Sequence, residues 1–475
     1  MSHKKPITRR DFLGQGIGAA ASYIFLPSIY TLLATKRAYG DSSCLAPAAS
    51  TLPAFICLDL AGGGNIAGSN VIVGKQGGQT NFLSAYDKLG LPPSMYPSVS
   101  GMVDTSLGLA FHAQSAMLAG IKSVATASTM AAVDGFVMAA QSMDDSSSNP
   151  HNPAYLVAQS GLTGTMMAQI GAQANASGGN STSPDFSINP AMRPVTVTNP
   201  TSAKNLVALN VLSSKFSSTQ VSGILSAIQN MSSSQLNNFQ ASDISTQVKS
   251  LFGCQVQAAA NATQMGATLV DPSVDASVTS VFGSLTGASS TDLQVATIAK
   301  LVLDNYAGAG TIEMGGFDYH SGNRTDGETK DQAAGRAIGQ ILQLAALKKR
   351  SVMIYVFTDG GITSNQTPDA GANGKYGWQG DAGQFGASFV LAYNAKGVRP
   401  TITQSGRQIG YFNDPGQGVV TTSSLIANNV PNLAMAVALN YMALAGNQGN
   451  FANVVANTTN PFVGIQDSYT MLSKV

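Results

Sequence analysis

The sequence predicts an α/β protein with a largely parallel sheet flanked by helices, plus a helical insertion. Three observations carry that prediction. The apolar runs "AFICLDL" (54–60) and "SVMIYVF" (351–357) have strand length and no alternation, as in strands buried on both faces. The stretch "ETKDQAAGRAIGQILQLAALKK" (328–349) has helical spacing, with acids early and lysines late, in agreement with the helix dipole. It lies between strand-like segments, and strand–helix–strand order implies parallel pairing with right-handed crossovers.

The elements follow in order along the 475 residues. The first strand runs into a glycine-rich loop, "AGGGNIAGSN". "SAMLAGI" (115–121) fits a strand or a short helix, and 122–165 is a mixed stretch holding "MDDSSSNPHNPAY". Residues 172–203 read as loop. From 204 to 300, "NVLSSKFSSTQVSGILSAIQNM" and "TDLQVATIAKLVLDNYA" place apolar residues at helical spacing beside Ser- and Gln-rich faces. A strand in "GTIEMGG", the helix at 328–349, the strand ending in "FTDGG", a strand in "GASFVLAYNAKG" and a late helix in "PNLAMAVALNYMALAG" complete the order. The expected organisation is an export signal at 1–40, a first part of the core at 52–203, the helical insertion at 204–300 and a second part of the core at 301–475.

The N-terminal stretch pairs Arg9 and Arg10, then Phe12 and Leu13, ahead of a weakly apolar run broken by glycines. That pattern resembles a twin-arginine export signal, with Ala38 and Gly40 as small residues before a cleavage point. An anchor helix is the alternative, since the run nearly spans a bilayer, but Gly14, Gly16, Gly18 and Pro27 weaken it. The expected partner is therefore the twin-arginine translocase, with no stable membrane span after cleavage, and the expected location is the periplasm or the cell exterior. Six of the 25 basic residues and one of the 24 acidic ones lie in 1–40, which leaves 19 against 23, a mildly acidic mature chain. Charged residues make up only 10% of the chain, against roughly 25% in an average domain. No basic patch with interleaved aromatics is present, so nucleic acid is excluded as a partner. Cys44, Cys57 and Cys254 allow one disulfide in an oxidising compartment; Cys57, in an apolar run, reads as buried and reduced.

In parallel α/β sheets, functional groups collect beyond the carboxyl ends of the strands. Asp318 and His320 follow one strand, Asp359 ends another, and Asp381 sits just before a third; Asp59, Asn65, Ser69 and Asn70 lie near the first. Taken singly, such acids more often cap turns, so the constellation carries the signal. Oxygen ligands with one imidazole suit Mg, Ca or Mn, or Zn with His support. Asp318, His320, Asp359 and Asp381 are the candidate metal ligands, and Ser69 and Thr358 the candidate nucleophiles toward a phosphate or sulfate ester. Beyond His3, only His112, His151 and His320 exist, too few for a histidine-rich two-zinc site. His112 reads as packed or capping, and His151 as a loop residue able to approach a site.

Four motifs carry a family resemblance from about residue 52 to the C-terminus: "LDLAGGGNIAGSN", "GGFDYHSGN", "FTDGGITSN" and "GDAGQFG". The chain resembles the twin-arginine-exported proteins grouped as domain of unknown function 1501, which look like distant relatives of alkaline phosphatases and sulfatases. Their motifs are a Gly-Gly-x-Asp-Gly-like turn, a Gly-x-Asp-Thr-His loop, a strand ending Ser-Glu-Phe-Gly-Arg and an Asp-His-Gly loop. The resemblance implies an alkaline-phosphatase-like core and a metal-dependent ester hydrolase. The chain departs from the pattern at Asn65, where the family often has an acid. Asp359 replaces a Glu, Gly361 stands near the expected Arg, and Ala382 stands where a His would follow Asp381. Those departures keep open a non-catalytic binding or structural protein on the same fold, acting on an unidentified cell-envelope partner.

Overall fold

A computed structural model describes residues 52–142, 149–171, 194–206, 220, 269–317, 319, 324–414, 416–456 and 458–475, with the backbone alone of Asp381. The twin-arginine segment, Cys44, Cys254, Asp318, His320 and most of the stretch 210–231 lie outside the described residues. Among the described residues no helix is long and apolar enough to cross a membrane.

The centre is an eight-stranded sheet. In chain order its strands are β1 (Ala54–Leu60), β4 (Val133–Met138), β5 (Met167–Gly171), β6 (Val195–Thr196), β7 (Ala307–Met314), β8 (Val352–Phe357), β11 (Ser388–Tyr393) and β12 (Gln408–Ile409). In space the order is β12-β4-β11-β8-β1-β7-β5-β6. β1 pairs parallel with both β7 and β8 at the middle of the sheet, as its continuous apolar run predicts. β11 does not follow the parallel expectation: it runs antiparallel to β8 and to β4. The connection from β8 to β11 explains the difference, because it is a hairpin of β9 (Ile362–Pro368) and β10 (Tyr376–Asp381) rather than a crossover helix. A further two-stranded ribbon joins β2 (Val103–Leu107) and β3 (Leu109–His112).

Each face of β1 enters a different core. Ile56, Leu58 and Leu60 pack with the face covered by α1 (Ala116–Lys122), α6 (Ser290–Leu303) and α7 (Arg324–Leu347). Phe55 and Cys57 pack with the face covered by α3 (Ala154–Gln159) and α8 (Val430–Ala445), where Phe55 meets Tyr441 edge-on at 5.5 Å. Each such fully buried aliphatic or aromatic side chain contributes about 1.5–3 kcal/mol. The remaining helices in chain order are α2 (Ala127–Ala131), α4 (Pro200–Leu206), α5 (Ala276–Phe282) and α9 (Phe451–Val454).

Two expectations change here. The ambiguous segment 115–121 is a helix, α1, because Ser115 caps it by accepting the Leu118 N–H. The end of the expected insertion, 290–300, belongs to the core: Val295, Ile298, Ala299 and Val302 of α6 are buried with the sheet. β4 escaped notice in the mixed stretch because Asp134 and Gly135 interrupt its apolar run. Asp134 is nevertheless buried, held by Arg407 through two bonds of 3.0 and 2.9 Å.

Charge serves as a joint elsewhere too. Lys300 and Lys348 both reach Asp275 and Asp304, at 2.6–2.9 Å, tying α5, α6 and the end of α7 together. Burial raises the Asp275 carboxyl, but the two ammonium groups overrule it and hold it well below the usual carboxylate range.

α1 and α7 approach closely at Gly335. A Cβ there would fall inside the van der Waals envelope of the Met117 carbonyl oxygen, which is backbone and cannot swing aside. Helix propensity alone would make Gly335→Ala stabilising by about 1 kcal/mol. The steric contact predicts the opposite sign, a loss of about 3 kcal/mol, read as a lower urea midpoint at unchanged slope.

Candidate functional site at the carboxyl edge of the sheet

The sheet changes character where β1, β7 and β8 end. Asp59 is wholly buried on the same face as Phe55 and Cys57. Its register partners are Glu313 on β7 and Phe357 on β8, so two carboxylates stand side by side on adjacent parallel strands. The segment "NPHN" (149–152) lies across these ends. Asn149 donates from Nδ2 to Asp59 Oδ2 at 3.2 Å and accepts the His151 backbone N–H at its own Oδ1. Asn152 donates from Nδ2 to Thr311 Oγ1 at 2.9 Å and accepts the Ala154 N–H at the start of α3. The Cys57 thiol donates to Asn152 Oδ1 at 3.5 Å. It is free and buried, and burial together with the Asp59 charge pushes its ionisation well up. His151 is buried, its ring parallel to Phe357 with centroids 5.9 Å apart.

Beyond Leu60 the chain turns, and the end of β8 holds the turn. Asp359 Oδ1 accepts the Gly62 N–H at 2.6 Å. Thr358 Oγ1 accepts the Gly64 N–H at 2.7 Å and donates to the Leu60 carbonyl at 2.8 Å. Gly62 has φ 111°, a conformation that a side chain would strain. Asn65 and Ser69 are buried in the same loop, where Asn65 Nδ2 donates to Ser69 Oγ. Asn70 then makes four side-chain bonds. Its Nδ2 donates to Asn65 O and to Asp331 Oδ2, both at 2.7 Å, and its Oδ1 accepts from the Ser115 hydroxyl at 2.6 Å and the Met117 N–H at 3.3 Å.

The candidates from the sequence therefore fall into distinct places. Asp359 and Thr358 meet the loop after β1, both engaged with its backbone. Ser69 sits deeper in that loop, 1% exposed. Asp318 and His320 lie outside the described residues, but their neighbours are fixed: Phe317 N donates to Ala61 O, and the Tyr319 hydroxyl donates to Asp331 Oδ1 at 3.2 Å. Asp381 pairs with Ile362 through the backbone at the end of β10. Among the described residues, no group of three or more His, Cys, Asp and Glu side chains is placed to hold a metal ion. Glu313, Asn149 and Asn152 were missed. Glu313 was legible inside the quoted "GTIEMGG" as an acid in a buried strand, whereas the asparagines carry no sequence signal of their own.

His112 is the packed residue its setting predicts. It is wholly buried, with Nε2 bonded to the Met95 carbonyl at 2.9 Å and Nδ1 accepting the Gln114 N–H. Burial lowers its pKa to about 4, so the neutral ring is the folded form.

No protein family, curated protein or solved structure was found to match the chain.

Thr358→Val keeps the shape of the side chain but leaves the Gly64 N–H and the Leu60 carbonyl without their partner. The expected loss is about 2–4 kcal/mol in urea unfolding, whereas Thr358→Ser, which keeps the hydroxyl, should lose less than about 1 kcal/mol. A larger loss in Thr358→Ser than in Thr358→Val would show that the methyl group, and not the hydroxyl, holds the loop.

Proposed function

We propose that the chain is an exported, metal-assisted hydrolase of phosphate or sulfate esters with an alkaline-phosphatase-like core. Its site would lie at the carboxyl edge of β1, β7 and β8. The observation that supports this reading most is the register of Asp59 with Glu313, two carboxylates side by side at the ends of central, largely apolar strands. Like charges opposite each other in a sheet are unfavourable, and a divalent cation accepting both would reverse the sign. The oxygen donors fit Mg, Ca or Mn, or Zn with imidazole support. Asp59 and Glu313 would hold such an ion from the strand ends, joined by the donors the sequence nominates, Asp318, His320, Asp359 and Asp381. When bound, the ion supplies Lewis acidity toward the ester oxygen. The Thr358 hydroxyl gives its proton to Leu60 and Ser69 is buried in its loop beside Asn65, so attack by either candidate hydroxyl would require the loop after β1 to open. Export by the twin-arginine translocase would place this activity in the periplasm or outside the cell.

A second reading has its own support. Thr358 and Asp359, two of the residues nominated for chemistry, spend side-chain oxygens on the backbone of the loop after β1. Ala382 stands where the resembled family carries His. A non-catalytic binding or structural protein would use the same edge as a rigid joint.

Elemental analysis of residues 41–475, purified from the exported fraction without chelator, separates the two readings. The hydrolase reading expects about one or more equivalents of Zn, Mn, Mg or Ca, lost in His320→Ala and in Asp59→Asn, and turnover in a screen of phosphate and sulfate esters. Folded protein that stays metal-free after dialysis against these ions would overturn it in favour of the second.

A further inference from the structure

Asp331 is a fully buried carboxylate that the proposed chemistry does not use. It sits on α7, one turn before the Gly335 contact with α1, and it receives donors from two separate loops. Asn70 Nδ2 reaches Oδ2 at 2.7 Å, and the Tyr319 hydroxyl lies 3.2 Å from Oδ1 and 3.3 Å from the Gly327 carbonyl, its other acceptor. Asn70 follows Ser69 directly, and Tyr319 stands in sequence between Asp318 and His320. Both bonded partners are neutral, so the buried carboxylate is costly. An amide side chain could accept from one loop but would turn its own N–H₂ toward the other donor. Only an ionised carboxyl accepts on both oxygens.

Charged and titratable groups surround it from each element. Glu328 and Arg324 share its helix, and Arg324 Nε bonds Glu328 at 2.8 Å. Lys375, just before β10, reaches Glu328 at 2.6 Å. Tyr319 faces it from the loop, while the α1 side presents Ser115, whose hydroxyl goes to Asn70. Burial, helped by the Glu328 charge, pushes the Asp331 carboxyl up to about 7; Asn70, Arg324 and Tyr319 pull the other way without overcoming it. Since the ordinary carboxyl value is lower, the folded state binds this proton more tightly than the unfolded one. Its contribution to stability therefore declines from mildly acidic pH up to about 7.

We propose that Asp331 is a positioning residue that ties the Ser69-bearing loop, through Asn70, and Tyr319 to one point of α7, and that it accepts from both only while ionised. Protonation at Oδ1 would turn Tyr319 from donor to acceptor and pass its own hydrogen to the Gly327 carbonyl, while protonation at Oδ2 would set an O–H against the Asn70 amide. The assignment of those loops to a site rests on the hydrolase reading, but the tie itself does not.

The chain supplies its own reporter, because Trp378 is its single tryptophan and its ring stacks on Tyr319 with centroids 6.4 Å apart. Trp378 emission and Mn²⁺ affinity would be followed from roughly pH 5 to pH 9 in the exported protein and in Asp331→Asn and Tyr319→Phe. The native chain should show an emission transition centred at about 7. Asp331→Asn should abolish it, and Tyr319→Phe, which keeps the ring but removes a donor to the carboxylate, should move it to higher pH. Mn²⁺ affinity should fall by about tenfold in Asp331→Asn, because the chain neighbours of Ser69 and of Asp318 and His320 lose their common anchor. An unchanged transition in Asp331→Asn would overturn the tie. Unchanged Mn²⁺ affinity in both variants would overturn the positioning role. If the native chain binds no Mn²⁺, the metal reading fails, and loss of the emission transition in Asp331→Asn alone still supports the tie.

Discussion

Four hydrogen bonds to one side chain tie the loop after β1 to the two helices behind it. Asn70 uses both amide hydrogens and both lone-pair directions of its oxygen, joining the loop after β1 to α7 and to the start of α1. A fully satisfied buried amide is directional in a way that apolar packing is not, since each partner lost leaves a buried polar atom unpaired. The close approach of α1 and α7 at Gly335 makes this arrangement possible. Without it, Asp331 on α7 and Ser115 at the head of α1 would not meet the same amide.

The same economy governs charge. The chain carries few charged residues, yet many are spent inside rather than on the surface. Lys300 and Lys348 with Asp275 and Asp304 weld three helices, Arg407 holds Asp134 in the sheet, and Lys375 with Arg324 brackets Glu328. Trp378 closes this last group, with the Arg324 guanidinium 4.1 Å from its ring centroid and Tyr319 stacked on it. Surface solubility is left to Ser, Asn, Gln and Thr, which frees the charged groups to act where burial makes them strong and unforgiving.

The two faces of the sheet divide the labour at its carboxyl edge. On the α8 side, Asp59, Glu313, His151, Asn149 and Asn152 form a polar cover over the strand ends. On the α7 side, Ser69, Asn70, Asp331 and Tyr319 form a second polar layer behind the loop. Thr358 and Asp359 stand at the end of β8 and clamp the turn from which that loop departs. A ligand at this edge would meet a backbone already fixed from both sides, the condition under which donor positions can be held to a fraction of an ångström.

The sequence by itself determined the middle of the fold. β1, β7, β8, α7 and α8 were legible because their apolar runs are long and their periodicity follows from local geometry. The glycine-rich turn after β1 was legible because only glycine tolerates its backbone. β4 was hidden by its internal Asp134 and Gly135, and the antiparallel sense of β11 by a hairpin that no periodicity announces. Of the candidate site, Asp59, Ser69, Thr358 and Asp359 could be nominated from their positions at strand ends. Their employment was decided by tertiary structure: Asn149 meets Asp59 across 90 residues of chain, and Asn70 meets Asp331 across 261. Pairings so distant in sequence leave no local trace, because each partner alone is an ordinary polar residue and only the packing of α1 on α7 and of "NPHN" over the sheet makes them neighbours.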